Sequence, residues 1–300
     1  MSDGSDRSDW QTFAWDGVRL PVPAAWNLAS YRQDRRTFAG VLEDDDAVRL
    51  EVEWECLARP PDLAAAARRL DRRMRRAARM AGRTGAVGNV PAGWQAAYYD
   101  FAGGRRLVAA VGPVPGANRL ALLRFHFDAS GAAASESVRR VLGGLRTDEA
   151  GGRLWQVYDC RFRVAPEWRL AATELVAGRK HFLFAWRGRR LRLWFFAFAD
   201  RLLREAAPGA WAAGFLNRHA GLRGPRFAAG PDGGVQAGRS RWLPFGHYDE
   251  LLRGCRRYEV EVLRRPAQNQ IVLVLLQCRK DDDLRTPHAL VHCLGDGRTL

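Results

Sequence analysis

The sequence predicts an α+β protein made of two tandem antiparallel-sheet modules, residues 10–147 and 153–300, with helices packed on the sheet and a pseudo-two-fold relating the copies. Three observations carry this expectation. Val22-Pro23-Ala24-Ala25-Trp26 returns as Val164-Ala165-Pro166-Glu167-Trp168. Other segments match in the same order: Trp10-Gln11 with Trp155-Gln156, Val48-Arg49-Leu50 with Leu191-Arg192-Leu193, and Leu142-Gly143-Gly144 with Leu294-Gly295-Asp296. At 300 residues and 47% hydrophobic, the chain is long and apolar enough for two cores.

In the first half, Phe13 to Val22 reads as a strand pair turning at Asp16-Gly17, while Pro21 and Pro23 argue against a central strand. Thr37 to Leu42 is a strand and Glu43 to Asp46 a turn. Ala47 to Glu55 is the clearest strand, with Leu50, Val52 and Trp54 on one face and Glu51, Glu53 and Glu55 on the other. A helix capped by Asp62 runs to about Met80, with Leu63, Ala66, Ala67, Leu70 and Met74 in its apolar stripe. Residues 85–93 read as loop. Strands follow at 95–101, 105–111 and 119–127, and Ser135 to Leu145 is a closing helix. Residues 147–152 form a short polar linker.

The opening strand Val18-Arg19-Leu20-Pro21-Val22-Pro23 with Trp26, and the strand–helix–strands–helix order after it, resemble the PsbP-like fold shared by DcrB and Eag-type proteins. The resemblance spans both halves, and the second half departs from it at Ala165-Pro166. It implies an α+β module and a non-enzymatic role, since members of that fold bind proteins, act as adaptors or shield apolar segments.

The net charge is +15, almost all of it arginine, with Lys180 and Lys280 the only lysines. A GC-rich genome produces such a bias by itself, yet the charge is physically real and favours polyanions. No apolar run is long enough to span a bilayer. The polar start Met1 to Asp6 does not read as a secretory signal, and five cysteines without a CxxC pair read as reduced thiols. The expectation is a cytoplasmic protein, either a monomeric pseudo-dimer or a subunit of a larger complex.

No Walker motif, G-x-G-x-x-G or G-x-S-x-G occurs, so no catalysis and no cofactor are expected. His288 and His292 at i, i+4, with Cys278 and Cys293, suggest a metal site at first sight. On a helix, however, Cys293 points about 100° from His292, and the histidines align with Glu136 and Arg140 of the first half, so no metal is expected. Asp44-Asp45-Asp46 and Asp281-Asp282-Asp283 lack the spaced ligands of a calcium loop and read as turns.

Two surfaces remain. Trp194, Phe196 and Phe198 stand where the first half has Glu51, Glu53 and Glu55. Leaving such rings wet forgoes about 1.5–3 kcal/mol each, so either the protein itself or a partner should cover them. The leading reading is accordingly a non-enzymatic protein-interaction module, an adaptor, chaperone or complex subunit, with Trp194, Phe196 and Phe198 as its partner-binding row. The alternative is polyanion binding by the helix 62–83, through Arg68, Arg72, Arg75, Arg76 and Arg79. The same arginines also suit the solvated side of an amphipathic helix, and the lack of interleaved aromatics there argues against single-stranded nucleic acid.

Overall fold

The structure, a computed structural model, describes residues 9–77, 83–101, 104–128, 132–148, 150–219, 226–231, 234–238, 257–278 and 291–293. Contacts divide the chain into two units, residues 1–161 and 162–300.

Unit 1 holds β1 (Trp10–Trp15), β2 (Val18–Pro23), β3 (Asn27–Gln33), β4 (Thr37–Glu43), β5 (Val48–Cys56), α1 (Leu63–Ala77), β6 (Arg83–Ala86), β7 (Gln95–Asp100), β8 (Arg106–Pro113), β9 (Arg119–Phe127), α2 (Ala132–Gly144), β10 (Arg146–Thr147) and β11 (Arg153–Val157). A small sheet runs β10-β2-β1-β11, and a seven-stranded antiparallel sheet runs β3-β4-β5-β9-β8-β7-β6. Pro21 and Pro23 fit the small sheet because β10 pairs only with Val18 and Arg19, leaving the proline end of β2 open on that side. The two sheets meet through aromatic rings. Trp15 lies 5.3 Å from Phe38, 4.7 Å from Tyr31 and 5.1 Å from Trp155, and Phe38 stacks on Trp54 at 4.2 Å.

The Asp16-Gly17 turn has positive φ at both residues, 51° and 79°, as the tightest hairpin connection requires. Its carboxylate takes a hydrogen bond from Arg153 at 2.7 Å and faces Arg119 at 3.7 Å, and all three side chains are largely buried. One acid therefore ties the β1–β2 turn to the start of β9 and to β11. Where α2 ends against β2, a Cβ on Gly144 would stand 2.4 Å from the ring of Pro21, so that approach needs glycine.

Unit 2 begins within β12 (Cys160–Val164) and holds β13 (Arg169–Val176), β14 (Arg179–Trp186), β15 (Arg189–Ala197), α3 (Ala199–Leu202), α4 (Pro208–His219), β16 (Arg226–Ala229), β17 (Val235–Gly238), β18 (Arg257–Arg265), β19 (Gln270–Cys278) and β20 (Val291–Cys293). Its seven-stranded sheet runs β13-β14-β15-β19-β18-β17-β16, the same order as in unit 1. β12 pairs antiparallel with β20, and Phe162 packs on Phe182 and Phe195 at 5.0 and 5.3 Å.

The expected α+β class is overturned. Antiparallel strands dominate both units, giving a β-rich fold with twenty strands and four α-helices among the described residues. The helices cover patches of sheet and do not form a layer. Strands that the sequence pattern does not announce explain part of the difference. β3 and β6 are the two edges of their sheet. An edge strand is paired on one side only and stays largely wet, and β3 buries only Leu28, so its apolar alternation is weak. At the chain's end, residues 291–293 form β20 where a helix carrying His288 and His292 was expected.

Asp16→Ala would leave Arg119 and Arg153 without their shared acid. It should destabilise unit 1 by about 3–5 kcal/mol, seen as a lower denaturant midpoint. An unchanged midpoint would show that this cluster does not hold the turn.

Candidate functional site

Trp194 and Phe196 lie on the outer face of the large sheet of unit 2, and Arg68, Arg72, Arg75 and Arg76 on the helix that covers part of the outer face in unit 1, and the two units treat those faces differently. In unit 2, β15 alternates as anticipated. Leu191, Leu193 and Phe195 are buried toward Phe182 and Phe162, and Trp194 and Phe196 point to the opposite side. That side is closed by α4. Phe215 meets Trp194 at 5.6 Å and Phe196 at 4.9 Å, and Trp211 meets Phe196 at 4.9 Å, all edge-on. Trp194 and Phe196 are 4% and 6% exposed, so their cover is intramolecular. Phe198 does not share the row. The strand ends at Ala197, and Phe198 takes a left-handed φ of 61° and is 57% exposed. Asn269 fixes this departure by accepting the Ala199 and Asp200 amides at 2.9 Å each and donating to Asp200 at 2.8 Å.

His181 of β14 stacks on the back half of this apolar layer, 4.8 Å from Trp194 and nearly parallel to it. Burial first, then the nearby Arg192 and Arg179 cations, push its pKa down to about 4, with Glu174 opposing them. The ring is therefore neutral at physiological pH.

In unit 1 the covering helix sits elsewhere. α1 starts at the expected cap, Asp62, whose carboxylate accepts the Ala65 amide at 2.9 Å. Leu70 and Met74 are buried on Leu107, Ala109 and Val111 of β8. Asp71 anchors the helix to β7 by accepting the Tyr99 hydroxyl at 3.0 Å. Burial and that bond raise the Tyr99 pKa to about 12. On the solvent side Arg68, Arg69, Arg72, Arg73, Arg75 and Arg76 are all exposed. Asp71 holds Arg75 at 2.8 Å and is the one carboxylate bonded to this face among the described residues. Arg79 lies outside the described residues.

Because α1 rests on β7 and β8, the β5 half of the outer face stays open and charged. Arg124 of β9 bridges Glu51, at 2.8 Å, and Glu53. His126 Nε2 lies 2.8 Å from Glu51. The bond from His126 first, then the Arg124 and Arg73 cations, hold the Glu51 carboxyl below its usual range despite partial burial. An ionised Glu51 accepts here, so Nε2 carries the proton. Two cavities flank this strip. One, of about 860 Å³, reaches from Tyr31 and Gln33 across Glu53 and Glu55 to Leu120 and Leu122. The other, of about 600 Å³, lies at the opposite end, beside His126. Nothing in the local sequence sets the glutamate row apart from ordinary polar surface. Its pairing with Arg124 and His126 follows from the β5–β9 register, Glu51 opposite Arg124, which no local pattern reveals.

Of the residues weighed for a metal, His288 lies outside the described residues, His292 and Cys293 fall in β20, and Cys278 is buried at the end of β19. No group of three metal-ligating side chains occurs among the described residues. Asp44 serves its turn by accepting the Asp46 and Ala47 amides at 3.0 and 2.9 Å.

No protein-family model matches the chain, and no curated protein does. Among solved structures it is similar to a crystal structure from Bacteroides thetaiotaomicron, at 12% identity and a TM-score of 0.30. That match covers 70% of this chain and 62% of the other, so the chain spans under two thirds of that protein's length. No helix among the described residues is long and apolar enough to cross a membrane.

Two measurements check the covered face. Phe196→Ser should destabilise the isolated protein by about 3–5 kcal/mol, because it removes a buried ring and buries a hydroxyl. A melting temperature close to that of the unaltered protein would contradict the intramolecular cover. His181 binds its proton less readily folded than unfolded. Its contribution to stability should therefore be complete above about pH 6.5, fall as pH drops toward 4, and level off below that. His181→Phe should flatten that part of the stability–pH curve, and an unaltered slope would exclude the buried neutral ring as its source.

Proposed function

We propose that this chain is a non-enzymatic interaction protein, and that the arginine face of α1 is the surface with which it engages a polyanionic partner. The observation that carries the reading is the set of six exposed arginines on one helix, with Asp71 the one carboxylate bonded to them among the described residues. The helix is firmly seated by Leu70, Met74 and the Tyr99–Asp71 bond, so its charges project from a fixed support. The aromatic row no longer recommends itself as the partner-binding surface. Trp194 and Phe196 lie under α4, and Phe198 stands apart. The shared strand order supports treating the two sheets as copies of one module, and the resemblance of its opening strand to PsbP-like proteins is what suggests an adaptor or complex subunit. A cytoplasmic setting is supported by Cys56, Cys160 and Cys278, which are thiols and not disulfides.

The test is a triple reversal, Arg68→Glu, Arg72→Glu and Arg76→Glu, which spares the paired Arg75. Binding of labelled duplex DNA and of labelled polyglutamate is measured across a salt series. The unaltered protein should bind at least one of them with an affinity that falls steeply as salt rises. The triple variant should lose roughly tenfold or more in affinity at low salt while keeping its denaturation midpoint, since the changed side chains are solvated. Equal binding by both proteins would end this reading.

A further inference from the structure

We propose that the cavity of about 600 Å³ beside His126 in unit 1 is a binding site for an amphipathic organic carboxylate. Small-molecule sites are typically concave, about 300–1,000 Å³, mostly apolar, and carry a few convergent polar groups. This cavity fits that description. Its walls are Ala47 and Val48 at the start of β5, Phe101 after β7, Leu107 of β8 and Phe127 of β9. Val48 is one of the few large apolar side chains left exposed, and Phe127 is held by stacking on buried Phe125. The apolar surface is thus built from four strands or their ends and does not depend on one loop.

The charges at the cavity decide the sign of the ligand. Asp128 shares the one guanidinium of Arg49, at 2.6 Å, with Asp44 at 2.5 Å, so these two acids are engaged but answered only in part. Arg106 is committed twice over, to both oxygens of Asp100 at 2.6 and 2.9 Å and to the face of Tyr98 at 4.4 Å. The His126 Nε2–H is directed to Glu51. What remains is Arg105, exposed at the cavity's edge and bonded to no carboxylate among the described residues. A guanidinium with five donors beside apolar walls suits a planar carboxylate on an apolar body, which it can take through two parallel hydrogen bonds. A neutral apolar ligand would leave that cation unused, and an organic cation would meet it as a like charge.

The site is separate from the α1 arginine face, and the experiment keeps the two apart. Binding of 2-naphthoate and of octanoate to the full chain is measured by calorimetry, with 2-naphthylmethanol and octanol as neutral controls. At least one carboxylate should bind with 1:1 stoichiometry and about tenfold tighter than its alcohol. The ring compound binding better identifies an aromatic acid as the natural class, and the chain compound an aliphatic one. Arg105→Ala should weaken binding by about tenfold, and Val48→Trp, which fills the cavity from an exposed position, should abolish it. The Arg68→Glu, Arg72→Glu, Arg76→Glu variant should bind the carboxylate unchanged. Should neither carboxylate bind, or should binding survive both Arg105→Ala and Val48→Trp, the proposal is wrong. Loss of binding in the α1 variant alone would assign the carboxylate to the helix face and equally overturn the site.

Discussion

A β-sheet has two faces, and each must be buried or suited to water. In both units the inner face of the seven-stranded sheet is apolar, so the outer face is where they can differ. β5 sends Glu51, Glu53 and Glu55 outward, and β15 sends Trp194 and Phe196 from equivalent positions. The choice dictates where a helix can lie. Aromatic rings on β15 demand a cover, and α4 supplies it with Trp211 and Phe215. Glutamates on β5 would be costly under a helix, and α1 instead shelters the apolar strip on β8. The same strand order therefore yields one closed outer face and one that is half open.

The open half is not simply wet surface. Once Glu51 and Glu53 project from adjacent outward positions of β5, like charges crowd, and Arg124 on the neighbouring strand relieves them by pairing with both. His126 completes the row and leaves its ring at the mouth of a cavity whose far walls are apolar. Under a helix placed as α4 is in unit 2, Glu51 and Glu53 would lose the water that now reaches them.

Much of the strand pattern was legible in the sequence. β4, β5 and β9 follow from alternation, β7 and β8 from short runs bounded by turn residues, and the Asp62 cap and the stripe of α1 from helical spacing. The outward direction of Trp194 and Phe196 was legible too, because period two leaves no choice once Leu193 and Phe195 are inside. Their cover was harder to see. α4 is nearly apolar all round, so it lacks the polar face that announces a surface helix. Pro208 at its first position and the Trp211–Phe215 spacing are the only local signs. Phe198 shows a different limit. Alternation extends the row to it, but Asn269, far along the chain, ends the strand one residue earlier. The fold class failed for a related reason. Edge strands and the short β20 owe their conformation to the partner strand, and their own residues say little.

Compositional bias can supply arginine at every permissive position, but it does not decide which arginines are neutralised. The carboxylates of unit 1 are spent unevenly. Asp16 serves Arg119 and Arg153, Glu51 and Glu53 serve Arg124, Asp44 and Asp128 serve Arg49, and Asp100 serves Arg106. These are the arginines nearest the sheets, where an unpaired charge is most costly. Most of these acids stand where desolvation demands them, and on the exposed turns of α1 Asp71 is the one carboxylate bonded to an arginine among the described residues. Local positive potential is thus a consequence of how burial distributes a limited supply of acid, and α1, solvated on one side, carries six exposed arginines of that surplus. A surface produced this way is available to a polyanion whether or not selection placed each arginine there, because the field depends on the unpaired charge and not on its origin.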